Sequence, residues 1–183
     1  FKVEVNQGAP QVTYREDITA SVDHREVYKK QSGGRGKFAD IEFEIGPADE
    51  EFNGKLQFIN DIAGGSIPKE FIAPIQKGFE SAMETGILFG YPMENMKVRI
   101  YDGSFHNVDS DAFSFELCAI ESFKSAGKKA NPVLMEPIMK MEISTPDSYI
   151  GGVIGDLNRR RANTEGIEEK NNSQVIKAKA PLS

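Results

Sequence analysis

The first segment that could do chemistry is Gln31-Ser32-Gly33-Gly34-Arg35-Gly36-Lys37. Glycines let backbone N–H groups approach an anion closely, and Arg35 and Lys37 add positive charge. Two chemistries suit such a loop: nucleotide binding, or docking onto phosphates of an RNA backbone. Nucleotide binding fails on spacing. A phosphate loop needs a glycine, four residues, then Gly-Lys and a hydroxyl residue. Gln31 occupies the place of the first glycine, Arg35 adds a large charged side chain, and Phe38 replaces the hydroxyl residue that would hold Mg2+.

Other reactive residue types are sparse. Asp61-Ile62-Ala63-Gly64 matches the short Asp-x-x-Gly of GTPase switches, yet no Asn-Lys-x-Asp accompanies it, so Gly64 and Gly65 read as loop glycines. The only histidines, His24 and His106, lie far apart, and no short-spaced His/Cys set for zinc exists. Cys118 is the single cysteine; its apolar neighbours predict a small buried hydrophobe and exclude an internal disulfide framework. The carboxylates are scattered and read as a solvated face. No catalytic residue, metal ligand or cofactor-binding residue is assigned.

The formal net charge of −6 argues against general polyanion binding. It hides a local reversal, because residues 28–38 hold Lys29, Lys30, Arg35 and Lys37 and no acid. Such a patch can meet phosphate even on an acidic protein. With 39% hydrophobic and 27% charged residues, the chain has the composition of a globular protein of one large or two small domains. No apolar run approaches the roughly 18 residues of a membrane span. Phe1 is not a natural start, which predicts a piece of a longer protein.

Hydropathy patterning supplies the elements that hold these loops. Val12, Tyr14, Glu16 and Ile18 alternate with polar residues and predict a strand with one buried face. Strands over 22–31 and around Phe43 and Ile45 flank the glycine-rich segment as a long hairpin, and Leu56 and Phe58 mark another strand. Pro74 suits a first helical turn, Ile75, Phe79, Ala82 and Met83 recur at helical spacing, and Gly86 stops that helix. Met96, Val98 and Ile100 form a strand that Asp102-Gly103 is expected to turn. Asp109 or Ser110 then caps a second helix with Phe113, Leu117 and Ile120 on one face. Beyond Asn131-Pro132 and Pro137 come a strand at 138–144, a helix with Tyr149, Val153, Ile154 and Leu157 on one face, and strands near 163–169 and 174–180. This βαββ order is the first part of a split βαβ sandwich and predicts a truncated or poorly ordered C-terminal end.

Three polar, glycine-containing loops remain as candidate contact segments: 31–37, 64–70 and 102–109. His106 can donate, accept and stack, which suits RNA sugars and base edges. At these residues the sequence resembles the bacterial elongation factor G family of translocase GTPases. The matching segments run in order: Gln11-Val12-Thr13-Tyr14-Arg15-Glu16, Gln31 to Gly36, Gly64 to Glu70, Gly90-Tyr91-Pro92, Tyr101 to His106, Glu136-Pro137-Ile138-Met139-Lys140, and Val153 to Asn158. The resemblance implies an α+β chain. Residues 1–130 would be the family's fourth domain, with a fold like domain 2 of ribosomal protein S5. Residues 131–183 would open its ferredoxin-like fifth domain, without the second half. It also implies a tip that contacts the tRNA anticodon stem-loop and mRNA in the ribosomal A site on the small subunit. That tip would be Gln31, Ser32, Gly33, Gly34, Arg35, Gly36 and Lys37 with Ser104, Phe105, His106, Asn107, Val108 and Asp109. The implied parent is a cytoplasmic, monomeric GTPase, and its GTP and Mg2+ would bind outside this segment.

The sequence departs from that family's usual pattern at several tip positions. Lys37-Phe38 stands where Gln-Tyr is frequent, Phe105 replaces a frequent Tyr, and Asn107 replaces a frequent acid. The loops gain positive charge and lose a hydroxyl and a carboxylate. A paralogue specialised in ribosome recycling or protection is the alternative within the family. A phosphate-handling enzyme on an S5-like fold is the alternative outside it.

Overall fold

A computed structural model of the chain describes residues 11–31, 34, 36–170 and 173–182. They form two compact units, one of described residues between Arg15 and Met135, the other of residues 11–14 with those described from Glu136 to Leu182.

In the first unit the long hairpin forms as its alternation predicts. Strand β1 is Arg15–Ile18, β2 Val22–Lys30, β3 Lys37–Pro47 and β4 Leu56–Asn60. β2 and β3 pair antiparallel from Val22↔Ile45 to Lys30↔Lys37, so the glycine-rich segment is the hairpin end. A 3-10 turn at Lys69–Phe71 leads into helix α1, Ile72–Thr85. Strand β5, Met96–Ser104, and helix α2, Ala112–Lys129, follow. The sheet order is β2-β3-β5-β4, with β4 parallel to β5 through the α1 crossover. Ile41, Phe43, Val98 and Ile100 on one sheet face meet Phe79 and Phe123 from the two helices, all fully buried.

Several boundaries differ from the sequence reading. β1 begins at Arg15, because only residues 15–18 find a partner strand. That partner, β6 at Pro132–Met135, lies where the prolines suggested a boundary, and it extends the first compact unit past residue 130. Asp102 and Gly103 do not turn the chain; they continue β5 opposite Glu42 and Ile41, with a bulge absorbing the register shift near Glu42/Phe43. α2 is capped by Asp111, which accepts from the Ser114 N–H, rather than by Asp109 or Ser110. Its buried face is Phe115, Cys118, Ala119, Phe123 and Ala126, whereas Phe113 is exposed. The expected stripe of Phe113, Leu117 and Ile120 therefore borders the core instead of forming it.

The second unit has β7 at Ile138–Thr145, α3 at Ile150–Arg159, β8 at Asn163–Lys170 and β9 at Ser173–Pro181. Its sheet order is β7-β9-β8, all neighbours antiparallel. This is the split βαβ arrangement that the βαββ order predicts. Val153, Ile154 and Leu157 pack with Ile143 and Ile176, while Tyr149, expected on that face, is exposed.

Candidate nucleic-acid interface

The two expected tip loops meet. The Phe38 N–H donates to the Asp109 carbonyl at 2.9 Å, joining the start of β3 to the β5–α2 loop. The Ser110 hydroxyl donates to the Phe38 carbonyl at 2.8 Å and accepts from the His106 N–H at 2.9 Å. The Ser110 N–H in turn donates to the His106 carbonyl at 2.9 Å, closing the loop on itself. The His106 ring packs edge-on against Phe38, with centroids 4.6 Å apart. Gly36 packs closely here: a Cβ would sit 3.0 Å from the Asp109 carboxyl carbon, so that side chain would have to shift.

These contacts leave a small cleft of about 120 Å³, lined by Lys29, Lys30, Gln31, Gly36, Lys37, Phe38, His106 and Asp109. Five of the expected tip residues (Gln31, Gly36, Lys37, His106 and Asp109) thus face one space. Phe105, Asn107 and Val108 are exposed on the adjoining loop, and Gly34 is exposed at the hairpin end. Ser32, Gly33 and Arg35 lie outside the described residues. Ser104 does not join the cleft, because its hydroxyl donates to Asp40 at 2.6 Å beneath the tip.

Electrostatics divide the cleft. Lys37 is tied to Asp111, the α2 N-cap. Burial pushes the Asp111 carboxyl up, but Lys37 and the Ser114 hydroxyl and N–H outweigh it and hold it at about 2. Lys29 and Lys30 have no ion-pair partner among the described residues; Lys30 lies 5.6 Å from the Tyr28 ring. The Asp109 carboxylate beside Gly36 makes that side of the cleft unfavourable to an anion, so its positive edge is the Lys29–Lys30 side.

A buried support sits below. Asp40, 1% exposed, accepts from Arg25 at 3.0 and 2.8 Å and from Ser104. Burial raises its pKa, yet the Arg25 and Ser104 contacts prevail and hold it below the usual carboxylate range. The triad fastens β2, β3 and β5 under the cleft. Sequence reasoning passed over Asp40 because its partners are remote in the chain; Glu26↔Ile41 and Val27↔Asp40 pairing makes the placement legible only once register is known.

The third expected contact loop, 64–70, does not reach this cleft among the described lining residues. Gly64 and Gly65 are exposed with φ of 67° and 73°, and Ile67 is buried in the core. No group of His, Cys, Asp or Glu suited to a metal occurs among the described residues. No described helix is long and apolar enough to cross a membrane.

Fold and cleft together define the class: an α+β chain with an S5 domain 2-like unit bearing a paired-loop, lysine-edged tip, followed by a ferredoxin-like βαββ unit. Comparison with known proteins agrees. The family model for elongation factor G, domain IV, matches residues 10–131, and that for the elongation factor G C-terminus matches residues 133–183. Elongation factor G of Amoebophilus asiaticus is 60% identical over the whole chain, and that of Cytophaga hutchinsonii 61%. The chain spans 26% of the length of each. A crystal structure from Thermus thermophilus superposes on 96% of the chain, and on 26% of its own, with a TM-score of 0.81 at 35% identity. The chain belongs to the elongation factor G family.

Proposed function

We propose that this chain is the RNA-contacting arm of a ribosomal translocase. Its tip would enter the A site of the small subunit and touch the tRNA anticodon stem-loop and mRNA during GTP-driven movement in elongation. The observation that carries the reading is the convergence of Gln31, Gly36 and Lys37 with His106 and Asp109 on one cleft, with Lys29 and Lys30 at its edge and without an ion-pair partner among the described residues. Fixed backbone, a histidine ring and free cations suit a structured RNA surface better than a small ligand. The residues act by binding and positioning; GTP hydrolysis, with its Mg2+, is assigned to parts of the parent outside this chain, and no cofactor is assigned here. The parent would work as a cytoplasmic monomer.

Binding of the chain to an RNA hairpin that mimics an anticodon stem-loop tests this reading. Affinity is expected to fall with rising salt, with a slope of about 0.7–0.9 per phosphate contacted. Lys29→Ala/Lys30→Ala should flatten that slope, and His106→Ala should weaken binding at fixed salt. Binding that ignores salt and all three substitutions would contradict it.

A further inference from the structure

Phe113 is the exposed end of the apolar stripe Phe113, Leu117 and Ile120 on α2. It stands two residues past the Asp111 cap, in the first turn of α2, and is 58% exposed. The position is rigid. Asp111 accepts from both the N–H and the hydroxyl of Ser114, each at 2.7 Å, which fixes the turn that carries Phe113. Lys37, held by the same carboxylate, places its ammonium 5.9 Å from the Phe113 ring centroid. Among the described residues no second ring packs on Phe113, in contrast to His106, whose ring is occupied by Phe38.

A preorganised ring with Lys37 beside it, and Lys30 opposite Lys37 across the β2–β3 pair, is what an unpaired nucleobase selects. The base stacks on the ring while its phosphate meets the ammonium groups. A paired base offers no free face, so such a site distinguishes loop from stem. An apolar protein segment would also cover the ring, but Lys37 beside it, with Lys30 opposite Lys37 across the β2–β3 pair, favours a polyanion. We propose that Phe113, with Lys37 at its side, is a stacking platform for an unpaired RNA base. The proposal rests on the RNA reading above and adds a side chain outside the two tip loops.

The test uses the chain with two RNA probes, a hairpin carrying 2-aminopurine in its unpaired loop and a fully paired duplex of equal charge. Phe113→Ala should weaken hairpin binding about tenfold and abolish the stacking-induced quenching of the 2-aminopurine. Phe113→Tyr should retain both, and duplex binding should stay at the wild-type value in each variant. Because Phe113 is exposed, unchanged urea midpoints are expected and establish folding. The platform is overturned if Phe113→Ala leaves hairpin affinity and quenching intact while Lys29→Ala/Lys30→Ala weakens binding; the RNA reading then stands without it. Equal losses for hairpin and duplex would overturn stacking as well. Absence of hairpin binding by the wild-type chain would instead overturn the RNA reading itself, and the platform with it.

Discussion

Two glycine-bearing loops of the first unit treat their polar groups in opposite ways. Loop 86–92 closes on an internal anion. Glu16, 1% exposed, accepts from the N–H groups of Leu88 and Phe89 at 2.7 Å, Tyr91 at 3.1 Å and Ile87. Gly86, with φ of 62°, is needed because a Cβ would lie 2.2 Å from the Tyr91 carbonyl. The tip, by contrast, satisfies its backbone at Phe38, His106 and Ser110 but leaves Lys29 and Lys30 facing solvent. A loop that supplies its own carboxylate has no use for an external one. A loop end whose lysines have no ion-pair partner among the described residues leaves them open to an external anion, which the proposed RNA contact would supply.

Breaking the closed loop should produce the largest effect. Glu16→Ala removes the acceptor of four N–H donors, each losing up to about 1–3 kcal/mol where nothing replaces the carboxylate. With water and rearrangement recovering part of this, a loss of about 3 kcal/mol or more in urea unfolding is expected, with little change in RNA affinity per folded molecule. Burial raises the Glu16 pKa, but the four N–H contacts lower it below the ordinary value. Its contribution is therefore complete at neutral pH and disappears in acid.

The cap that links the tip to α2 should matter less. Asp111→Ala removes an N-cap, at a cost of about 1 kcal/mol. The carboxyl titrates near 3.8 when unfolded and at about 2 when folded. A folded pKa below the unfolded one stabilises above the higher value and is lost as pH falls. Denaturation of wild type and Asp111→Ala should thus differ by a constant amount above about pH 5, and the electrostatic part of the gap should shrink as pH falls from about 5 through about 2.

Opening the comparison at its other end should leave stability alone. Lys29→Ala/Lys30→Ala is expected within about 0.5 kcal/mol of wild type, while the salt slope of RNA binding falls by one to two contacts' worth. A stability loss like that of Glu16→Ala would mean these lysines support the fold, and the contrast between the loops would fail. The smallest effect concerns Cys118. Burial pushes its thiol up to about 12, despite the backbone contact from Tyr28 that lowers it. Iodoacetamide at mildly alkaline pH should leave native protein unmodified and label it only after unfolding.

Legibility in the sequence followed the range of the forces involved. β2, β3, α1 and the βαββ unit were readable because period and turn residues are local signals. Glu16 fell on the apolar face of an alternating run, a visible anomaly, yet its donors lie more than 70 positions away. β6 escaped notice for the same reason: Pro132–Met135 is a strand only because β1 is there to pair with it. The family resemblance places Ser104 at the tip, and strand register delivers its hydroxyl to Asp40. Phe113, Leu117 and Ile120 share helical spacing, but the face that packs on the sheet is the neighbouring one, with Phe115, Cys118, Ala119 and Phe123, which only the tertiary packing decides.

The most direct measurement uses the full-length parent in a reconstituted ribosome system. With His106→Ala, movement of tRNA and mRNA is predicted to slow several-fold while GTP hydrolysis keeps its wild-type rate. Movement at the wild-type rate, with GTP hydrolysis equally intact, would contradict the assignment of this tip to RNA.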